Sequence, residues 1–430
     1  MRYWLETLGC PKNQVDSEKL AGMLTAAGHR PADDVEAAEL VVVNTCAFVE
    51  AARAESIETI LELSGRRSDG ARLVVTGCMA ERYGAELAEA LPEVDAVAGF
   101  GQPITLGPKP GAGLGGPLPD SVAAFDLLEL PRPPAGAPWA YVKVAEGCDR
   151  NCGFCAIPSF RGRQRSRQPA DLLAEVDALG AAEIVLVAQD LASYGRDIGR
   201  RGAIVDLVRA VSERVARTRL LYLYPSALTS SLIQVMGETG CAYFDLSLQH
   251  VSAPLLRRMR RWGDGARFSE RIKRIRDDWP DAAFRSSFIV GYPGETEDDH
   301  DQLLRFLSEA DLDWGGFFSF SPEEGTYAAG LDAQVPPEVM AERMAECSEL
   351  QDAITARRRA TLIGSTVSVL VDSPGVARSH REAPEIDGII AVPTEFAVGS
   401  VLDVVVTGSM GPDLDAVAVA SGGVVAAGTR

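Results

Sequence analysis

The chain has 430 residues, 46% hydrophobic and 24% charged, an ordinary globular mixture that excludes wholesale disorder. Its 61 acidic residues against 42 basic ones give a formal net charge of -19, which is repelled by phosphate backbones, weighs against direct nucleic-acid binding and favours a basic partner. No apolar run approaches the roughly 18 residues of a membrane span, and MRYWLETLGC holds no secretory core, so a cytoplasmic protein without membrane contact is expected.

Residues 1–105 read as alternating strands and helices. Tyr3–Leu8, Leu40–Asn44 and Leu73–Thr76 are strand candidates, the second a continuous apolar run suited to a strand buried on both faces. Asp16–Ala27 and Ala47–Leu63 carry helical periodicity between them, which makes a small parallel α/β sheet. A Gly/Pro-rich linker follows over 106–138, at its densest in the eleven Gly and Pro of 101–120. A second α/β block spans 139–360. Its strand candidates are Ala140–Ala145, Ile184–Ala188, Leu220–Leu223, Tyr243–Leu248, Phe284–Val290 and Gly316–Phe320, in an open partial barrel or a doubly wound sheet. From Thr361 to Arg430, short β-rich segments with turns predict a small antiparallel β-barrel.

Eight cysteines in a reducing compartment bring metal binding or catalysis forward. Cys241 and Cys347, in apolar or helical surroundings, read as core thiols. Cys10, Cys46 and Cys78 each follow a predicted strand directly, in LETLGC, VVVNTC and VVTGC. The carboxyl ends of parallel strands share one edge, where ligands bind, so three distant thiols converge there. Gly9 and Gly77 suit a close backbone approach. Buried structural cysteines and a zinc site are the alternatives. Zinc normally takes four protein ligands, so an iron–sulfur cluster with one open iron fits better.

Cys148, Cys152 and Cys155 form a CxxxCxxC run after the strand YVKVA, with Phe154 placing an aromatic ring beside the last cysteine. Three thiolates hold three irons of a 4Fe-4S cluster and leave the fourth for S-adenosylmethionine, whose reductive cleavage is chemistry carried by the cofactors. A zinc knuckle and a ferredoxin-type cluster are the competing readings, and each normally has a further ligand.

With GCPKNQVDSE (9–18), YLYP (222–225), LQH (248–250), SPEEGT (321–326) and APEIDG (383–388), the chain resembles the radical S-adenosylmethionine methylthiotransferase family over nearly its whole length. Its GCPKN stretch is unlike the GCQMN-like stretch usual in the tRNA-modifying branch, and is similar to that of the branch acting on small-subunit ribosomal protein S-twelve. The resemblance implies an α/β chain of three parts: an N-terminal flavodoxin-like methylthiotransferase domain, a radical S-adenosylmethionine partial (βα)6 barrel and a C-terminal TRAM β-barrel. It implies two 4Fe-4S clusters, the radical one on Cys148, Cys152 and Cys155 and an auxiliary one on Cys10, Cys46 and Cys78. It places FIVGYPGE, with Gly291, Pro293, Gly294 and Glu295, beside the adenosyl group. Gln189 and Gln249 are strand-end candidates for further contacts, although a strand-end Gln more often hydrogen-bonds a loop.

The implied reaction is methylthiolation of an aspartate β-carbon, with one S-adenosylmethionine as methyl donor and another as radical source. No side chain is required as a catalytic base. The sequence names no electron donor. A tRNA adenosine is the alternative substrate, and a non-catalytic iron–sulfur scaffold is an alternative of another kind. Residues 361–430 hold eight acidic and three basic residues and only Phe396 as an aromatic, which suits a basic ribosomal protein better than RNA. Among the basic runs, RGRQRSR (161–167) is expected to meet a ligand carboxylate or an acidic partner segment, and RRMRR (257–261) and RIKRIR (271–276) to be solvated helix faces.

Overall fold

The computed structural model describes residues 1–102 and 126–419. Its first part runs β1 (Arg2–Thr7), α1 (Pro11–Ala26), β2 (Arg30–Pro31), β3 (Leu40–Thr45), α2 (Glu50–Arg66), β4 (Arg72–Gly77), α3 (Cys78–Ala90) and β5 (Ala96–Val97). All pairings are parallel and the order is β2-β1-β3-β4-β5, the flavodoxin-like arrangement. Strand β3 is buried along its whole length between two helical layers, as its unbroken apolar run requires. Helix α1 starts at Pro11, five residues before the expected Asp16. Proline is suited to a first helical turn, whose N–H groups lack intrahelical partners.

Most of the expected linker, residues 103–125, lies outside the described residues. The part that follows is docked: Leu127 and Leu128 are buried, and the Lys19 ammonium of α1 donates to the carbonyls of Leu128 (2.8 Å) and Leu130 (2.9 Å).

The central part contains β6 (Trp139–Lys143), β7 (Ala145–Glu146), α4 (Ile157–Arg161), β8 (Arg165–Ser166), α5 (Pro169–Leu179), β9 (Glu183–Val187), α6 (Ala203–Ser212), β10 (Arg217–Leu220), α7 (Ser230–Glu238), β11 (Tyr243–Gln249), α8 (Ala253–Arg258), α9 (Gly265–Asp278), β12 (Ala283–Val290), α10 (Glu297–Ala310), β13 (Trp314–Ser319) and α11 (Pro337–Ala360). Two parallel blocks, β6-β9-β10 and β11-β12-β13, meet through Leu223, which bridges to Leu246. Six parallel strands therefore follow one another in sequence order, which is a partial barrel and not a doubly wound sheet. The third strand lies at Arg217–Leu220, not at Leu220–Leu223. Its arginines hide it from an apolar pattern. Both are buried: Arg219 pairs with Glu183 at 2.7 Å, and Arg217 donates to the carbonyls of Arg378 and Ser368.

Strands β14 (Thr366–Ser373), β15 (Val376–Arg378), β16 (Ile390–Ala391), β17 (Val401–Met410) and β18 (Asp413–Ala418) close a barrel around Val369, Val371, Ile390, Val404 and Leu414. The pairing is antiparallel except between β16 and β18, which run parallel, a departure from the all-antiparallel expectation. The segment carrying APEIDG leaves this barrel and fills the bottom of the partial one. Tyr141 donates to Pro384 O (2.9 Å), Tyr243 to Asp387 (2.6 Å) and Trp314 to Arg381 O (2.6 Å), while Ala383 packs with Tyr141, Val185 and Tyr243. No helix among the described residues is long and apolar enough to cross a membrane.

The plug contains buried charge. Burial alone would raise the Glu382 carboxyl, but Arg359 and the Ser379 hydroxyl and amide hold it down at about 2. A carboxylate held low contributes stability above its unfolded value near 4.5, and that contribution is lost as pH falls towards 2. Between pH 5 and pH 2 the wild-type chain should therefore lose about 3 kcal/mol more unfolding free energy than Glu382→Gln in denaturant titrations. Equal losses would contradict the assignment. Buried Glu323, held by the partly buried Arg53 (2.5 Å) and Arg82 (2.6 Å), ties the SPEEGT loop to α2 and α3. Glu323→Gln leaves two guanidinium groups short of a partner at a cost of about 3 kcal/mol. Faster amide exchange over both 46–56 and 321–326 is the expected readout, and unchanged protection in either segment would refute the latch.

Candidate site between two cysteine trios

The order of the N-terminal sheet reverses between β1 and β3, where an open α/β sheet forms a crevice at its carboxyl edge. Cys10 follows β1, Cys46 follows β3 and Cys78 follows β4, so the three thiols share that edge. Two glycines permit the approach. A Cβ on Gly9 (φ +91°) would lie 2.7 Å from Cys46 Cβ, and one on Gly77 (φ +91°) would lie 2.6 Å from Thr45 O. Cys10 caps α1, where burial works to raise its thiol but the charges of Lys12 and Arg161 and the amides of Asn13 and Lys12 bring it below its ordinary value. Burial, aided by the neighbouring Cys10 and Cys78, pushes Cys46 up to about 12. Burial also raises Cys78, against the pull of Arg161.

The second trio sits on the loop after β7. Burial raises Cys148 to about 11 and Cys155 to about 12. The loop is clamped: Gly153 N–H donates to Met259 O and Gly153 O accepts from Ala328 N–H, both at 2.8 Å. Phe154 is half-buried against the main core. Arg261 reaches Cys152 Sγ at 3.4 Å, and its guanidinium and that of Arg150 each lie over the Tyr224 ring, at 4.0 and 3.9 Å from the centroid. Arg150 also pairs with Asp190 at 2.5 Å.

Arg161 joins the trios. It lies six positions after Cys155 at the end of α4, buried, and donates to Cys78 Sγ (2.9 Å), Asn13 (2.7 Å), Asp16 (3.2 Å) and Glu146 (2.9 Å). Lys143 pairs with Asp16 and, at 2.6 Å, with Glu146. Glu146 accepts from Gln189 at 2.7 Å. Burial would raise the Glu146 carboxyl, but Arg161 and Lys143 hold it far below the carboxylate range. A continuous chain of polar contacts thus runs from a central strand end to a cysteine of the N-terminal sheet.

By donor type both trios suit iron–sulfur clusters, three thiols at the edge of a parallel sheet and three on one loop. Among the described residues no three His, Cys, Asp or Glu side chains, those of the two trios included, are gathered closely enough to hold a metal ion as they stand.

The remaining sequence candidates fall at strand ends. The Gln189 amide donates to Glu146 while its carbonyl oxygen is buried without a partner, an acceptor left for a ligand donor. Gln249 ends β11 with φ +73°, beside a register shift. Gly291, Pro293, Gly294 and Glu295 form the turn after β12. A Cβ on Gly291 would meet the Met340 side chain and one on Gly294 the Arg258 guanidinium, so the close approaches seen at these glycines are to protein groups. Glu295 accepts from the amides of Gly291 (2.6 Å) and Tyr292 (3.2 Å) and pairs with Arg343 at 3.1 Å. Burial raises its carboxyl despite these partners.

The basic runs differ from expectation. In RGRQRSR, Arg161 serves the interdomain network, Arg167 pairs with Glu175 (2.7 Å) and Arg165 with Asp126, leaving exposed Arg163 beside Asp149. In RRMRR, Arg257 and Arg260 are exposed as expected, Arg260 over the Tyr327 ring, while Arg258 and Arg261 turn inward onto Gly294 and Cys152. In RIKRIR, Arg271 and Arg276 donate to loop and helix-end carbonyls, and Arg274 alone pairs on the surface, with Glu270 at 2.5 Å. Reasoning from sequence missed Asp16, Lys143, Glu146 and Tyr224. Lys143 and Glu146 were visible only as charges at the end of an apolar strand, whereas Asp16 and Tyr224 lie inside GCPKNQVDSE and YLYP without having been singled out.

Three family models match in chain order: the uncharacterized protein family UPF0004 over residues 2–99, the radical SAM superfamily over 142–307 and the TRAM domain over 363–419. A ribosomal protein uS12 methylthiotransferase RimO of Streptomyces coelicolor is 41% identical over 95% of both chains, and one of Moorella thermoacetica is 44% identical over 90% of this chain and 91% of its own. Among solved structures, the radical S-adenosylmethionine methyltransferase TsrM from Kitasatospora setae aligns over 90% of this chain and 73% of its own at 17% identity, with a TM-score of 0.44. The full-length relatives above 40% identity, together with the three matched models in their order, place this chain in the RimO family of ribosomal protein uS12 methylthiotransferases.

Proposed function

We propose that the protein methylthiolates the β-carbon of an aspartate in ribosomal protein uS12, with a radical 4Fe-4S cluster on Cys148, Cys152 and Cys155 and an auxiliary one on Cys10, Cys46 and Cys78. The observation that carries this reading is the Arg161 contact. A residue six positions beyond one trio hydrogen-bonds a cysteine of the other, which supports assigning both trios to one interdomain gap. When bound, the clusters and S-adenosylmethionine supply the radical that removes hydrogen from the substrate carbon and the methylthio group that replaces it. The chain's own residues hold, orient and exclude water. Asp16, Lys143, Glu146 and Arg161 fix the facing edges, and the Glu323 latch and the APEIDG plug close the gap from the side and from below. Gln189 and the turn of Gly291, Pro293, Gly294 and Glu295 are the residues assigned to the S-adenosylmethionine side, with Phe154 and Gln249 at its margins. No side chain acts as a general base in the hydrogen-abstraction step. The electron comes from an external donor.

The C-terminal barrel supports a protein substrate. Its arginines among the described residues, Arg378 and Arg381, are both buried and face inward, Arg378 paired with Asp372 (2.5 Å) and Glu183 (3.2 Å), Arg381 with Asp281 (3.2 Å) and Asp313 (3.4 Å). The described barrel surface is therefore without a basic face for a tRNA backbone and complements a basic ribosomal protein.

Anaerobically reconstituted enzyme given S-adenosylmethionine, a reductant and uS12 should add a methylthio mass to one aspartate. The same mass on tRNA alone would overturn the substrate, and metal content without 5′-deoxyadenosine would point to a scaffold. Cys148→Ala and Cys46→Ala should each lose half the iron. Cys148→Ala should form no 5′-deoxyadenosine, whereas Cys46→Ala should still form it and leave uS12 unmodified. Full iron in either variant would refute its assigned trio.

A further inference from the structure

The cations around the gap are nearly all engaged. Arg161 and Lys143 face Asp16 and Glu146, Arg150 faces Asp190, and Arg53 and Arg82 face Glu323. Arg285 at the barrel centre faces Asp245 (3.3 Å) and Asp387 (3.5 Å). Among the described residues, two half-buried cations of the site have no hydrogen bond or ion pair on their side chains: Arg258, against Gly294 on the S-adenosylmethionine side, and Lys12, two positions from Cys10. What holds Lys12 is a ring. Lys12 Nζ lies 3.6 Å from the centroid of Tyr222, at the carboxyl end of the third barrel strand.

That seat is built at a cost. Tyr222 adopts φ +64°, a left-handed conformation uncommon for a bulky residue. Its N–H donates to Asp245 at 2.9 Å, and Asp245 is itself fixed by Arg285, so the strained backbone is braced from the barrel centre. Lys12 is also misplaced for helix stability. It stands in the first turn of α1, where the helix dipole disfavours positive charge, and that turn holds no acidic residue. Two of the stretches singled out in the sequence, GCPKNQVDSE and YLYP, therefore meet in one cation–π contact in the gap, and the contact leaves part of an ammonium's three N–H donors free.

We propose that Lys12, seated on Tyr222, binds the side-chain carboxylate of the substrate aspartate. The assignment rests on the aspartate reading above. An aspartate whose β-carbon reacts presents its carboxylate one bond away. A single unpaired ammonium beside the Cys10 edge fixes that carboxylate and, through it, the reacting carbon, whereas a neutral side chain in its place leaves a buried anion without a partner. Lys12 is thus a specificity-determining residue, which sets aspartate apart from asparagine.

The test uses anaerobically reconstituted full-length protein and two fluorescently labelled peptides of the uS12 modification segment, one with the aspartate and one with asparagine in its place. Equilibrium anisotropy gives the ratio of the two affinities within one preparation, so incomplete cluster loading cancels. Wild type should prefer the aspartyl peptide by roughly tenfold or more, the scale of a charge-assisted hydrogen bond. Lys12→Met should bring the ratio close to one, Lys12→Arg should keep part of it, and Tyr222→Leu should reduce it without abolishing binding of the asparaginyl peptide. A wild-type ratio in Lys12→Met would overturn the assignment and leave the function standing. A wild-type enzyme that methylthiolates tRNA and does not modify the aspartyl peptide would overturn the function, and this assignment with it.

Discussion

Arg161 sits where the N-terminal sheet meets the partial barrel, with its guanidinium shared among Asp16, Glu146, Asn13 and Cys78. Buried ions are tolerated only when they are paired and hydrogen-bonded, and removing one partner of such a set costs several kcal/mol. Asp16 belongs to α1, and Lys143, Glu146 and Arg161 belong to the barrel. Separating the N-terminal sheet from the barrel would strand the Asp16 carboxylate and leave Lys143 and Arg161 to share Glu146 alone. The docking that faces the two trios is therefore enforced by electrostatics as well as by shape, and it leaves the edges that carry the cysteines in fixed register.

The rest of the architecture serves that gap. The crevice between β1 and β3 gathers Cys10 and Cys46, and glycines at positions 9 and 77 allow the neighbouring turns to close on each other. Opposite, a half-open barrel would admit water from below, but the segment 379–388 fills it with hydrogen bonds to Tyr141, Tyr243 and Trp314. The C-terminal barrel is in this sense part of the site's wall. A radical in a wet site would be quenched, so excluding water is a contribution this scaffold makes to the reaction.

Much of this was legible in the sequence. Strand-end cysteines point to a shared edge because parallel strands deliver their carboxyl ends to one side, and so Cys10, Cys46 and Cys78 were found despite wide spacing. The alternation of elements gave the α/β class and the terminal barrel. What escaped depended on partners remote in the chain. Arg217 and Arg219 made a buried strand look polar, because Glu183 and the plug that neutralise them cannot be read locally. The runs at 257–261 and 271–276 resemble solvated faces until the acceptors of Arg261, Arg271 and Arg276, which lie on other elements, are in view. SPEEGT and APEIDG stood out as motifs, but their roles as latch and plug are tertiary facts.

The central claim is that two three-cysteine sites face one gap, each holding iron. Anomalous diffraction at the iron edge, from crystals of anaerobically reconstituted protein, measures this directly. Two iron peaks are predicted, one bounded by Cys10, Cys46 and Cys78 and one by Cys148, Cys152 and Cys155, each with a vertex turned to the gap and free of protein ligands. A single peak, or a fourth side chain closing either vertex, would contradict the account.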